Sequence, residues 1–184
     1  AAKQGKIRNI TGFGSKVEEN ILKAVEFSKT AKERFVLGFI WPTIKELETK
    51  IKQFKEVERL EICGSARRRK ETIADLDLLA ISSKPEKVID LFTKLEEVKR
   101  VLAKGSTKST VILKDGIQVD LRVLPKESFG AAMQYFIGNK NHNVELRKIA
   151  ISKGYKLSEY GLFKGKKSIA AEDEKEVYKA LGLD

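Results

Sequence analysis

The sequence predicts an α+β fold, helical at both ends around a mixed or antiparallel sheet. Three observations carry this prediction. Apolar residues recur at helical spacing early and late in the chain, they alternate with polar residues in the middle, and one tight-turn dipeptide joins two apolar runs there.

The opening Thr11-Gly12-Phe13-Gly14-Ser15-Lys16 precedes a helix. Ser15 and Glu18 have capping-box spacing, and Val17, Ile21, Ala24 and Val25 follow with helical period to about residue 28. A second helix is expected over about 31–40. Pro42 suits the first turn of a third, whose Ile44, Leu47, Ile51 and Phe54 form one apolar stripe. The period then changes. Leu60 and Ile62 alternate with Arg59 and Glu61, a half-buried strand ending at Gly64-Ser65, and residues 75–82 form another. A helix follows Pro85, carried by Val88, Leu91, Phe92 and Leu95. Asp115-Gly116 lies between Val111-Ile112-Leu113 and the apolar run 117–124, which marks a hairpin. Helices are expected again over 129–136 and about 143–153, then a hairpin around Lys164-Gly165-Lys166, then a helix over about 173–181 that ends at Gly182. Soft boundaries near 30 and 128 divide the chain into 1–30, 31–128 and 129–184.

Composition narrows the function classes. The 184 residues carry 37 Lys and Arg against 26 Asp and Glu, a net charge of +11. The residues 1–60, 61–128 and 129–184 each have a basic excess, so no detachable basic tail accounts for the charge. An extended polyanion touching several elements accounts for it, as does a lysine-rich solvated surface. The single cysteine, Cys63, cannot form an internal disulfide and reads as buried packing in a reducing setting. No apolar run approaches the roughly 20 residues that span a bilayer. Ala1-Ala2-Lys3 has neither a signal-peptide pattern nor an initiator Met, and the expectation is a piece cut from something longer. Phe35, Phe39 and Phe54 read as core and Trp41 as interhelical packing.

Three carboxylates carry the chemical reading. Asp75 and Asp77 are two apart on a predicted strand, so both leave one face while Leu76 and Leu78 point into a core. Asp120 lies on another strand between Val119 and Leu121, also on the polar side. If the two strands are neighbours, three carboxylates converge, and divalent cations such as Mg²⁺ relieve their repulsion. Upstream, Gly64-Ser65 precedes Arg67-Arg68-Arg69-Lys70, and Asp75 follows Ser65 by ten positions. Backbone amides, a hydroxyl and an adjacent Arg suit phosphate oxygens. A phosphate grip and a metal grip would flank one triphosphate.

Gly64-Ser65-Ala66-Arg67-Arg68 followed by Asp75-Leu76-Asp77-Leu78 resembles the signature of the nucleotidyltransferase fold. The fuller resemblance is to family X DNA polymerases, especially bacterial and archaeal members related to polymerase beta. Asp120-Leu121-Arg122-Val123-Leu124-Pro125 is similar to that family's third-aspartate strand, and Gln134-Tyr135-Phe136-Ile137-Gly138 to its entry into the thumb. Residues 142–147 and 153–162 resemble the thumb itself, so the likeness covers nearly the whole chain. It implies partial fingers over 1–30, a palm over 31–128 and a small α+β thumb over 129–184.

The resemblance also implies roles. Asp75 and Asp77 would bind two Mg²⁺ ions, with Mn²⁺ a substitute, and Asp120 the catalytic one near the primer 3′-hydroxyl. Gly64, Ser65 and Arg68 would hold a deoxynucleoside triphosphate. Tyr135, Phe136 and Gly138 would line its sugar, Asn143 would meet its base edge and Lys140 would flank the base. Arg147 would reach the template minor groove, and Arg122 would couple thumb closure to the aspartates. The turn containing Gly12, Gly14, Ser15 and Lys16 resembles a helix-hairpin-helix DNA-binding turn.

The implied function is a DNA-directed DNA polymerase of gap-filling repair type, a monomer acting on primer-template or gapped DNA, in the cytoplasm at a prokaryotic nucleoid and with no membrane partner. Template-independent nucleotidyl transfer and a catalytically silent DNA-binding fragment remain the alternatives. Four residues depart from the family pattern: Ala74 stands for Gly before the first aspartate, Ile137 and Asn139 for Thr and Ser around Gly138, and Gln118 for an Arg near the primer terminus. The likeness further implies a core without the 5′-phosphate-binding domain, and the single His argues against a second, metal-nuclease activity.

Overall fold

The computed structural model of the chain describes Gly14, Val17 and residues 33–183. Its contacts divide it into two units, Ala1–Glu33 and Arg34–Asp184. In the first, the Val17 amide donates to the Gly14 carbonyl at 3.0 Å. Gly12, Ser15 and Lys16 of the expected glycine turn, the Ser15–Glu18 box and the rest of the helix expected there lie outside the described residues.

The second unit opens with β1 (Phe35–Val36), paired antiparallel with β3 (Thr72–Ile73). Arg34 ties the pair together, donating from Nε to Thr72 Oγ1 at 2.9 Å. Helix α1 (Leu37–Lys52) joins what the sequence divides at Pro42. Within the helix expected over 31–40, residues 35–36 are instead β1 and 37–40 the start of α1, residues 31 and 32 lie outside the described residues, and Pro42 lies inside the helix. Proline there removes one bond, to the carbonyl four residues back. That carbonyl belongs to exposed Gly38 near the helix start, and the buried stripe of Ile40, Ile44, Leu47 and Ile51 outweighs the loss. Phe39 corrects a second expectation. It is 87% exposed, because it stands about 100° around the helix from Ile40. Phe35, Trp41 and Phe54 do pack at the edge of the core.

The main sheet has five strands in the order β2-β4-β7-β6-β5. They are β2 (Arg59–Ile62), β4 (Asp75–Ile81), β5 (Val98–Lys104), β6 (Lys108–Leu113) and β7 (Gln118–Leu124). β4 and β7 are parallel, while β2·β4, β6·β7 and β5·β6 are antiparallel. The Asp115-Gly116 hairpin forms as expected, with Gly116 at φ 95° and its amide on the Leu113 carbonyl at 3.0 Å. β5, which the periodicity missed, is an exposed edge strand with irregular register.

One sheet face carries Leu76, Leu78, Ala80, Val119, Leu121 and Val123 and packs on α1 and α3 (Pro85–Thr93), where Val88, Ile89 and Phe92 are fully buried. The opposite face is covered only toward the strand ends. There Leu79, Ile81 and Leu124 join Cys63, Ala132 and Met133 in a smaller core. Ala132 and Met133 belong to α4 (Phe129–Ile137), reached through a 3₁₀ turn at Lys126–Ser128. α5 (Lys140–Ser152), the three strands β8 (Lys156–Ser158), β9 (Gly161–Lys164) and β10 (Lys167–Ala170), and α6 (Glu174–Ala180) build a further core. Its centre is Ala131, Leu146, Ala150, Leu162 and Val177. Gly130 permits the close seating of α4 here: a Cβ would fall 2.2 Å from the Asp173 carbonyl carbon. No helix among the described residues is long and apolar enough to cross a membrane.

Candidate active site

Side chains alternate along β4, so Asp75 and Asp77 leave the face opposite Leu76 and Leu78. The parallel register sets Asp75 beside Gln118 and Asp77 beside Asp120. All three aspartates therefore stand on the strip of the sheet that α4 leaves uncovered. Asp120 is held in its orientation from both sides. Thr110, its partner across β6, donates to Oδ1, and Gln118 Nε2 donates to Oδ2 at 3.0 Å. Lys108 Nζ stands 4.0 Å from Oδ1.

A turn from β2 brings the phosphate-type groups to the same strip. The short helix α2 (Gly64–Arg67) begins with Gly64 at φ 57°, where a Cβ would meet Asp77 Oδ2 at 1.9 Å. Glycine is needed there twice over, for the left-handed backbone and for the carboxylate. Arg68 caps α2 and donates from a terminal nitrogen to the Ile137 carbonyl at the end of α4. Its buried Nε has no hydrogen-bond partner, an unsatisfied cationic donor suited to an anion.

Between these groups lies an open cavity of about 320 Å³. It is lined by Gly64, Ser65, Arg68, Asp75 and Asp77 from the sheet side, and by Tyr135, Phe136, Gly138, Asn139, Lys140, Asn143 and Arg147 from α4, α5 and their junction. The eight residues expected at a nucleotide thus meet in one place, together with Arg147. Asp120 and Arg122 are not part of the lining. No group of three His, Cys, Asp or Glu able to hold a metal ion occurs among the described residues as they stand.

The α4–α5 side is fastened internally. Asn139 caps α5, its side chain accepting from the amides of Asn141 and His142. Asn143 is already engaged, accepting from Gln134 Nε2 and donating to the Tyr135 carbonyl, both at 2.7 Å. Tyr135 and Phe136 meet edge to face with centroids 5.0 Å apart. His142 stands in the first turn of α5 with Nε2 2.8 Å from Tyr178 OH. Burial pushes the Tyr178 hydroxyl and the nearby Glu174 carboxyl above their ordinary values. Arg122 lies on β7 one face-step beyond Asp120, and donates to Glu159 at 3.1 Å and Tyr160 OH at 2.8 Å.

Sequence reasoning missed Thr110, Gln118 as a support of Asp120, and Asn139 as a lining residue. Strand register alone reveals Thr110, whereas Gln118 stands two residues before Asp120 on the same strand, a period-two signal that could have found it.

The family model for the DNA polymerase beta thumb matches residues 132–184. The DNA polymerase/3'-5' exonuclease PolX of Bacillus subtilis (strain 168) is 36% identical over 164 residues, covering 88% of this chain and 29% of that protein. The chain thus spans less than a third of the length of this curated relative. The chain is a relative of the family X DNA polymerases. Among solved structures, Leishmania infantum polymerase beta in a ternary gap complex is 25% identical, with a TM-score of 0.70 over 83% of this chain and 68% of the other. The same polymerase in a ternary P/T complex shares the fold, with a TM-score of 0.74 and 23% identity over 100% and 97% of the two chains. The match to the DNA polymerase beta thumb covers α5, α6 and the small sheet, together with most of α4.

Proposed function

We propose that the chain is a DNA-directed DNA polymerase of gap-filling type. It adds deoxynucleotides to a primer 3′-hydroxyl. The primer oxygen bonds to the α-phosphorus of a deoxynucleoside triphosphate, the bond to the bridging oxygen breaks, and pyrophosphate leaves. The observation that carries this reading is the single cavity shared by Ser65, Arg68, Asp75 and Asp77, with Asp120 beside Asp77 across two parallel strands.

Each group has a part. Ser65 and Arg68 bind phosphate oxygens, Arg68 through the donor now unsatisfied at Nε. Tyr135 and Phe136 crowd the sugar, Lys140 and Asn143 stand at the base, Arg147 reaches the template minor groove, and Lys108 offers charge to the DNA backbone. The donors on the aspartate strip are all carboxylate oxygens, which fits hard divalent cations, Mg²⁺ or Mn²⁺. Asp75, Asp77 and Asp120 would hold a pair of them, whose chemistry is charge stabilisation on the attacking and leaving oxygens. Separate hydrophobic cores support a palm over 31–128 and a thumb over 129–184, with partial fingers over 1–30, acting as a monomer on gapped or primer-template DNA.

Primer extension on gapped DNA with Mg²⁺ or Mn²⁺ tests the reading. Incorporation that follows the template and is abolished in Asp120→Ala is expected. Extension without a template strand points to template-independent transfer, and salt-sensitive DNA binding without turnover to a silent binding module. Either result overturns the proposal.

A further inference from the structure

Helix α2 is four residues long, and its ending is unusual. The Lys70 amide donates to the Ser65 carbonyl at 3.1 Å, and the Arg69 amide to the Ala66 carbonyl at 3.2 Å. This pair of bonds is a Schellman ending, in which the residue after the cap turns left-handed and is usually glycine. Here it is Arg69, at φ 55°, the only non-glycine residue with positive φ among those described. A Cβ disfavours that conformation, so the surroundings must hold Arg69 in it. The Arg69 guanidinium lies over the Trp41 ring, 4.4 Å from its centroid, well inside the range of cation–π attraction. Trp41 is itself half-buried on α1 against the main core. The stack thus joins the phosphate-side turn to a rigid helix.

Arg68 immediately precedes Arg69 and is the cap residue of α2. Three arginines in succession repel one another, and each has been given a different direction. Arg67 turns back to Glu61 at 3.1 Å, Arg69 turns out to Trp41, and Arg68 alone of the three lines the cavity.

We infer that Trp41 and Arg69 form a latch on this turn, making Arg69 a positioning residue that sets the reach of Arg68 toward the polyphosphate of the incoming nucleotide. Arg69 itself does not line the cavity. The nucleotide's identity rests on the polymerase reading; the latch and its effect on polyphosphate binding do not.

Trp41 is the only tryptophan in the chain, so its emission reports the latch directly. Arg69→Gly keeps the left-handed turn accessible while deleting the cation. The expected result is altered Trp41 emission, an undiminished Tm, and a KM for the nucleotide raised about fivefold with kcat within about twofold. Arg69→Lys restores a cation and recovers most of the KM. Binding of inorganic tripolyphosphate, measured by calorimetry, weakens by a similar factor of about five in Arg69→Gly. Unchanged emission overturns the latch. Altered emission with unchanged KM and unchanged tripolyphosphate affinity overturns the positioning role, and so does a loss explained by a lower Tm. A wild-type chain that binds tripolyphosphate but incorporates nothing overturns the polymerase reading alone, and the tripolyphosphate comparison then decides the latch.

Discussion

Gly64 and Asp77 occupy a space that holds only one of their side chains: a Cβ on Gly64 would stand 1.9 Å from Asp77 Oδ2. The phosphate-side turn and the first aspartate pair are therefore packed against each other, with no room between them. Gly64→Ala must move the Asp77 carboxylate, strain a left-handed residue, or both. Misplacing a reacting group by about 1 Å costs on the order of 100-fold, and we expect a loss of that size in kcat for primer extension. The chain should remain folded, with the stability loss on the order of 1 kcal/mol in urea unfolding.

Asp120 is steered by Thr110 and Gln118. Thr110→Val and Gln118→Leu each remove one hydrogen bond while leaving the carboxylate in place. Changes to groups that orient a ligand carboxylate typically cost 10–100-fold, and about tenfold in kcat/KM is expected for each. Combined, the two should lose less than the product of the single effects, because they orient one group. Steady-state incorporation kinetics at several Mg²⁺ concentrations checks this.

Arg122 links the main sheet to the β8–β9 turn through Glu159 and Tyr160, and only 18% of its side chain is exposed. Arg122→Ala leaves Glu159 half-buried without that partner, and should cost about 1–3 kcal/mol. Tyr160→Phe removes one neutral-acceptor bond and should cost about 1 kcal/mol. Urea unfolding of the two variants and of the double variant separates the shared part.

Burial pushes the Cys63 thiol up to about 12, from an ordinary value of 9.0. The folded chain keeps the proton while the unfolded chain loses it above pH 9. Stability is therefore complete below pH 9 and falls as pH rises from 9 toward 12, by on the order of 1 kcal/mol per unit. In Cys63→Ala that alkaline slope should flatten, although the variant is less stable at neutral pH because of the cavity it opens. Thermal unfolding between pH 7 and 11 tests both parts. Wild-type Cys63 should also resist alkylation at pH 8 as long as the chain is folded.

How legible the sequence was depended on whether a residue's environment repeats along the chain. In β4 the alternation of Asp75 and Asp77 with buried Leu76 and Leu78 is a period-two signal, and Asp115-Gly116 is a turn with its own chemistry, so both were readable. β5 was not, because an edge strand that is wet on both faces has no apolar side to alternate with. Pro42 misled because proline marks a helix start more often than an interior, and only the buried stripe on either side of it keeps α1 whole. The cavity's lining residues were legible as motifs, since three short segments supply nearly all of them. The support of Asp120 by Thr110 was not, because register across β6 and β7 is a property of the folded sheet. Arg69 gave no sign either, since a left-handed arginine looks in sequence like one more member of a basic run.

Asp77 and Asp120 are neighbours only because β4 and β7 run parallel. Parallel strands cannot be joined by a tight turn, and here the connection passes through α3, β5 and β6 before β7 returns to lie against β4. That long-range pairing bears the loop-closure entropy of the whole crossover, and pairings of this kind form slowly. A chain emerging from the ribosome can complete the β2 turn and the first aspartate pair while the third aspartate has yet to be synthesised. The order of synthesis thus keeps the carboxylate set incomplete until the five-stranded sheet can close.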